Sequence, residues 1–332
     1  MPDSVVDRET LTAAVERACR APSLHNSQPW RWVAEGALLH LFAEPDRVGR
    51  ATDHTGREVL ISCGAVLDHL HVVMAGAGWQ TFVDRLPDPN HLNHLATVGF
   101  SRAAFVTDGA RSRAEAVMRR RTDRLPFTPP EHWNEVEPVL RAAVDTSAAD
   151  LDVLDDDARS QLAEASRLSE AVRRYDSSYH AELRWWTNQE GPQGIPPTSL
   201  PTQEEGSRVD VSRSSFPSGA AAAPGAGIER DHARVLVLST YDDSRLRALR
   251  CGEELSKVLL ECTLAGLATC TLTHMIEVNS SREVVRRLTG RRSLPQLLIR
   301  AGTAPVTERS EPITPRRPVA DVLCRRPRKT AQ

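Results

Sequence analysis

Lysine is almost missing: Lys257 and Lys329 are the only two, so 42 basic residues less those two leaves 40 arginines. Against 44 acidic residues this gives a net charge of −2, which excludes an electrostatic nucleic-acid binder. The arginine excess reads as compositional bias, and only the position of an arginine carries information. The six cysteines form no CxxC pair, so they are expected as small core residues in a reducing compartment, with no zinc site. The opening MPDSVVDRET has acids where a signal peptide needs a basic patch and an apolar run, so a cytoplasmic protein is expected. No apolar run reaches the roughly 18 residues of a membrane span. The nearest, Val59 to Trp79, is broken by Asp68, His69 and His71 and reads as a buried helix. GxSxG, Walker and HExxH motifs are absent, and Gly76-Ala-Gly78 lacks the third glycine of a dinucleotide fingerprint, as does Gly225-Ala-Gly227. His91 and His94 make an HxxH without a third ligand, so no metal is expected.

What is present is a chain of 332 residues, 40% hydrophobic, long enough for two domains or for one built from two similar halves. An internal repeat at an offset of 188 favours the second arrangement. SCGAVLDHLHVVMAGAGW from Ser62 aligns without gaps on RCGEELSKVLLECTLAGL from Arg250, pairing Cys63 with Cys251, Gly64 with Gly252 and Gly78 with Gly266. Apolar positions recur every three or four residues in both copies, the helical period, and each copy ends on a helix-terminating glycine. Strand-like runs follow in both: TFVDRL and LATVGF, then ATCTLTHM and QLLIRAG. Two unrelated buried helices could match by chance. If the repeat is real, the chain is an α+β internal pseudo-dimer, with halves 1–110 and 111–332 divided between 105 and 115 and the two central helices packed together.

The surplus of the second half is the Pro-, Gly-, Ser- and Ala-rich run from Gly191 to Gly227, within a segment of about 190–230. A loop of this length is either disordered or a functional lid; Trp185, Trp186, Ile195 and Phe216 give it something to bury and favour the lid. The other distinctive segment is RAPSLHNSQPWRW, Arg20 to Trp32, directly after the amphipathic ETLTAAVERAC. Pro22 and Ser23 are expected to end that helix, and a loop dense in donors and acceptors follows, suited to the edge of a heteroaromatic ring. A self-capped turn with Trp30 and Trp32 in the core would carry the same residues.

APSLHNSQPW resembles the PS-x-x-N-x-QPW loop of the FMN-dependent nitroreductase superfamily. RRTDRLPF, Arg120 to Phe127, is similar to the RRSxRxF element with which those proteins open, although here it stands mid-chain. GLATCTL (Gly266 to Leu272) and TPRRP (Thr314 to Pro318) look like the strand lead-in beside the flavin and the basic phosphate-gripping tail. The resemblance spans nearly the whole chain and is weakest in the lid. It is greatest to the Acg-type nitroreductase-like proteins of mycobacteria, in which two halves are fused. Ordinary nitroreductases hold FMN at a homodimer interface, with these elements divided between subunits. Here each element occurs once, on different halves, which implies one flavin site per chain.

The resemblance implies the roles. Arg120 with Arg316, Arg317 or both would hold the FMN phosphate and ribityl chain, with Arg121 and Thr122 next in line. Arg124 would lie near the pyrimidine ring and raise the flavin potential. Ser23, His25 and Asn26 would reach the flavin from the first half, with Gln28, Trp30, Arg31 and Trp32 completing or supporting that loop. His25 departs from the small polar residue common there. Thr271 to His274, with Thr271 and Thr273 as candidates, stand where the superfamily supplies a backbone N–H to the ring. The implied activity is hydride transfer from NADH or NADPH to FMN and onward to a nitroaromatic or quinone. The alternative is an FMN-sequestering, stress-related protein with a closed lid. No catalytic acid or base is needed, and no nucleic acid or membrane partner is expected. An internally paired chain is expected to be a monomer or weak homodimer.

Overall fold

The computed structural model describes residues 5–188, 191–212, 216–219, 228–304 and 314–326; the rest of the lid segment, 189–190, 213–215 and 220–227, lies outside the described residues. The chain opens with α1 (Arg8–Ala18), whose first turn is closed by the Asp7 carboxylate accepting from the Thr10 N–H at 2.8 Å. Leu11, Ala14, Val15 and Ala18 are buried at helical spacing. The helix ends four residues before Pro22, with Cys19 as its cap, so the loop begins earlier than the prolyl residue suggests. Strands β1 (Trp30–Glu35) and β2 (Leu38–Ala43) form a hairpin, followed by α2 (Arg57–Gly76), β3 (Trp79–Arg85) and β4 (His94–Arg102). After α3 (Asp108–Arg119) and α4 (Trp133–Ala143) come β5 (Asp150–Leu154), α5 (Arg159–Arg173), α6 (Ser177–Thr187) and α7 (Gln203–Ser207). Then follow β6 (Arg234–Thr240), α8 (Arg245–Leu264), β7 (Ala268–Leu272), α9 (Asn279–Thr289), β8 (Leu294–Gly302), α10 (Val319–Val322) and β9 (Leu323–Arg326).

The strands form two sheets, ordered β3-β4-β2-β1-β9 and β5-β6-β8-β7. Read from the other edge, the second is β7-β8-β6-β5, the order of the first four strands taken in chain sequence, and all these pairings are antiparallel. The helices agree to the residue: α2 starts at 57 and ends at 76, and α8 at 245 and 264, each bound displaced by 188. The two helices lie against each other through glycine. A Cβ on Gly64 would stand 1.9 Å from the Leu249 carbonyl oxygen, and one on Gly252 2.0 Å from that of Ile61. Since 61 and 64 become 249 and 252 on adding 188, the two contacts are the same contact seen from both sides, as across a two-fold axis.

α2 is long and apolar enough to cross a bilayer by length and composition, its charged and histidine residues notwithstanding, but 83% of its most apolar window is buried inside the protein. It is a core helix. Sheet residues alternate between two cores: Leu236, Leu238, Leu297 and Ile299 face the α2–α8 layer, whereas Val235, Val237 and Leu298 face the layer of α5 and α9. The carboxy-terminal strand leaves the second sheet's side and pairs parallel with β1, Trp32 opposite Leu323. This crossing lays residues 314–318 beside the Arg20–Trp30 loop.

Candidate active site

The loop between α1 and β1 is built under backbone strain. His25, Asn26 and Gln28 have φ of +49°, +57° and +50°, left-handed values that cost a side-chain-bearing residue on the order of 1 kcal/mol each. What holds them is specific: the Ser23 hydroxyl accepts from the Gln28 N–H at 3.0 Å, and the Ser62 hydroxyl on α2 accepts from the Leu24 N–H at 3.1 Å. Strain so closely spaced persists only because the surrounding contacts over-determine the loop.

The loop borders two adjoining cavities. The larger, of about 390 Å³, is walled by Ser23 and His25, by Ile61 of α2, by Thr271 to His274 at the end of β7, and by Leu200 and Phe216 of the 191–219 strap. The smaller, of about 170 Å³, is lined by Arg20, Asn26, Arg120, Arg121 and Arg316. Ser23, Thr122, Arg124 and Ile195 belong to both. His25, buried, lies edge-on to Phe216 at 5.7 Å and 6.2 Å from Trp186. Trp186, in α6, and Ile195 are buried, whereas Trp185 has 48% of its surface exposed.

The smaller cavity carries an excess of positive charge. Arg120 is 4% exposed, and its one hydrogen bond runs from Nη2 to the Arg20 carbonyl at 3.3 Å, leaving Nε and Nη1 buried without partners. Arg20 gives Nη1 to the Thr314 carbonyl at 3.0 Å and keeps a buried, unpartnered Nε. Arg316 spends its donors on the carbonyls of Cys19 and Arg20, at 3.1 and 3.2 Å, and on those of Thr314 and Pro315, at 3.2 and 3.1 Å. None of the three meets a carboxylate among the described residues. Burial, then the neighbouring guanidiniums, pushes Arg120 down to about 10 and Arg316 well below its ordinary value; burial lowers Arg20 as well. Guanidinium groups keep their protons, so the lowered values express burial beside like charges. The Asn26 Oδ1 is a further buried, unpartnered atom, here an acceptor.

The larger cavity is mostly apolar, and its one buried cation is neutralised. Arg300, 1% exposed, reaches Asp231 through Nε at 3.1 Å and Nη2 at 2.5 Å, and its guanidinium lies 4.5 Å over the Phe127 ring. Burial alone would push the Asp231 carboxyl up; Arg300, the Phe127 N–H and Arg159 hold it below its usual range. Among the described residues no group of three metal-ligating side chains occurs.

Of the residues singled out in the sequence, Ser23, His25, Thr122, Arg124, Thr271 and Thr273 border the larger cavity, and Asn26, Arg120, Arg121 and Arg316 the smaller. Five stand elsewhere. Trp30 and Trp32 are wholly buried in the main core, where covering an indole is worth about 5 kcal/mol. Arg31 leans over Phe42 and faces Glu44 at 3.7 Å. Gln28 is fully buried, bonded to the strap and the tail. Arg317 is taken by the carbonyls of Gln28 and Trp30 and by Glu44 at 3.0 Å. Two site residues escaped sequence reasoning. Arg20 opens the quoted loop motif but was assigned no role, and Arg300 is a lone charge in the apolar run QLLIRAG, a signal that the strand needs a buried counter-ion.

No family model matches the chain. It is 53% identical over 324 residues, 97% of its length and 98% of the relative's, to a Mycobacterium tuberculosis protein provisionally named NAD(P)H nitroreductase acg. A second M. tuberculosis chain, also provisionally named an NAD(P)H nitroreductase, is 36% identical over 96% of this chain and 92% of its own. Among solved structures, the FMN-dependent nitroreductase NfnB of Mycobacterium smegmatis in complex with NADPH superposes with a TM-score of 0.40 at 17% identity, covering 64% of this chain and 97% of that one. A provisionally named nitroreductase from Anabaena variabilis gives a TM-score of 0.49 at 9% identity, over 89% and 73%.

Proposed function

Because the chain belongs to the Acg-type nitroreductase family, we propose that it binds FMN and acts as an NAD(P)H-dependent oxidoreductase on nitroaromatic or quinone acceptors. The observation that carries this reading is the pairing of a mostly apolar chamber with a small pocket of three guanidiniums that meet no carboxylate among the described residues, the two sharing Ser23, Thr122 and Arg124. Such a pair fits a planar ring joined to a phosphate. The orphaned N–H groups of Arg120 and Arg20, with Arg316, would take the phosphate, and the unpartnered Asn26 Oδ1 is an acceptor for a ribityl hydroxyl. FMN bound there supplies hydride acceptance and electron delivery. The chain's own residues bind and orient: the β7 end forms one wall of the ring chamber, His25 and Ile61 another, and Arg124 places a positive charge at the junction.

The reading includes an internal pseudo-dimer, with halves 1–110 and 111–332, one flavin site between them and no partner subunit required; the matched strand orders and the 188-residue register of α2 and α8 support it. A second reading has an observation of its own. Leu200 and Phe216 of the strap stand on the ring chamber, where a nicotinamide must stack, which favours a protein that holds FMN with little turnover. Anaerobic absorbance during titration with NADPH, then NADH, with dithionite as control, separates them. Bleaching by a nicotinamide supports the reductase, and bleaching by dithionite alone supports the holding protein. A chain that FMN cannot reconstitute removes both.

A further inference from the structure

Two carboxamides of the strained loop join parts of the protein that are otherwise far apart in sequence. Gln28 Nε2 donates to the Pro192 carbonyl at 2.7 Å while its Oε1 accepts the Arg317 N–H at 2.8 Å. Asn26 Nδ2 donates to the Gly194 carbonyl at 2.9 Å and to the Pro315 carbonyl at 3.1 Å. Each side chain therefore has one arm on the strap and one on the carboxy-terminal tail, on either side of Arg316. The strap has further fastenings at the same place: Arg47 gives Nε to the Ser27 carbonyl at 3.1 Å and Nη2 to the Gln193 side chain, and the Ile195 N–H reaches the Trp186 carbonyl at 2.7 Å. The tail carries a wall of the basic pocket, and the strap carries a wall of the ring chamber.

We propose that Asn26 and Gln28 are positioning residues that couple the two pockets, so that an anion held by Arg20, Arg120 and Arg316 fastens the strap over the ring chamber. This rests on the phosphate reading of the basic pocket. The coupling runs through the tail backbone: an anion that fixes Arg316 fixes residues 315–317, these fix the two carboxamides, and the carboxamides fix 192–194. Linkage makes it reciprocal, so a loosened strap weakens anion binding by the same factor. The ligand that closes the chamber is a phosphate monoester, and its phosphate alone suffices to tighten the strap.

The test uses the full chain without flavin and inorganic phosphate as the probe, with chloride at matched ionic strength as the reference. Phosphate uptake is followed by calorimetry, and amide exchange of residues 192–203 by mass spectrometry. The expected result is strap exchange about three- to tenfold slower at saturating phosphate, the worth of one hydrogen bond, with a half-point equal to that of binding. Gln28→Glu keeps the acceptor for the Arg317 N–H and loses the donor to Pro192, so it is expected to bind phosphate and leave the strap unresponsive. Gln28→Met, which loses both arms without adding charge and does not line the basic pocket, gives a second check should Gln28→Glu fold poorly, with circular dichroism reporting folding. Phosphate that binds the wild type without slowing strap exchange, or that slows it equally in folded Gln28→Glu and Gln28→Met, overturns the coupling alone. Absence of phosphate uptake overturns the basic-pocket reading, and the coupling with it.

Discussion

The two ends of the α2–α8 pair occupy equivalent places in the repeat and are furnished in opposite ways. At one end stands Ser62, whose small hydroxyl anchors the Arg20–Trp30 loop and leaves room for the cavities. At the other, the residue 188 further on is Arg250, which reaches Asp145 at 2.7 Å and the Ser147 hydroxyl at 3.2 Å. Around it the charges are paired: Arg85 meets Glu253 at 2.8 and 2.6 Å, Lys257 meets Glu254 at 2.8 Å, and the same Glu254 accepts from the Asp145 N–H at 2.9 Å. The connection into the sheet is eleven residues at the first end, from Cys19 to Pro29, and six at the second, 144–149. At one end stand cations that meet no carboxylate among the described residues; at the other, where a cavity of about 580 Å³ also lies, salt bridges lace the surface. The difference teaches that the matched helices keep the same glycine contact, while the loops and charges beside them differ.

The most damaging way to break this contrast is to remove the unpaired cations. Arg120→Ala with Arg316→Ala is expected to lower FMN affinity by at least 100-fold, since each charged hydrogen-bonding group contributes roughly 1.5–3 kcal/mol. Equilibrium dialysis of the flavin reads this directly, and undiminished occupancy in the double variant refutes the phosphate assignment. Next in size is the shared element. Gly64→Ala places a methyl 1.9 Å from the Leu249 carbonyl oxygen, where backbone has to move, so a loss of about 2 kcal/mol or more is expected by denaturant unfolding. Gly252→Ala should match it within about 1 kcal/mol, because the two contacts are related by the repeat; a large disparity between the pair would disprove that equivalence.

Much of this was legible in the chain itself. The repeat SCGAVLDHL/RCGEELSKV was enough to expect a pair of buried helices in contact, because helical periodicity and small residues are local signals. The loop and RRTDRLPF motifs led to the two cavities through their resemblance to nitroreductase motifs, not through any local periodicity. What the sequence concealed was direction. Trp30, Arg31 and Trp32 lie in the motif, but strand alternation and the pull of the core turn the two indoles inward and send Arg31 to Glu44. Of the adjacent pair Arg316 and Arg317, one lines the basic pocket and the other is claimed by Glu44 and backbone carbonyls, a choice fixed by tertiary contacts among residues nearly 300 apart. The ion pairs at the opposite end are likewise invisible without the fold.

A subtler asymmetry lies on the axis itself. Asp68 and Ser256 are a pair at the 188 offset, and they touch, Ser256 Oγ to Asp68 Oδ2 at 2.5 Å, with His69 Nδ1 at 2.8 Å from the same hydroxyl. A symmetrical pair here would set two carboxylates face to face in the core; serine in one copy removes that. Even so, burial pushes the Asp68 carboxyl up to about 7. A carboxyl raised in the folded state keeps its proton where the unfolded chain has already lost it, so this group's contribution makes stability fall as pH rises from about 4 to about 7. Asp68→Asn is expected to flatten that slope and to gain about 1 kcal/mol or more at pH 7 relative to pH 4, measured by urea unfolding at both values. An unchanged slope in the variant would show that the carboxyl is ionised throughout.

The smallest effect belongs to the salt-bridged end, and it is the sharpest check on the proposal of one flavin site per chain. Arg250 and Asp145 are partly exposed, with 27% and 45% of their side-chain surface in solvent, so screening leaves their bridge worth under about 1 kcal/mol. Arg250→Ser restores at this position the residue found at the open end and is expected to cost little stability. It is also expected to leave flavin stoichiometry at one per chain, because the six-residue connection 144–149 contains no arginine or asparagine, and Arg291 beside it is paired with Asp152. A second equivalent of FMN bound by Arg250→Ser would mean that the salt bridges alone, and not the missing loop, had closed the other site.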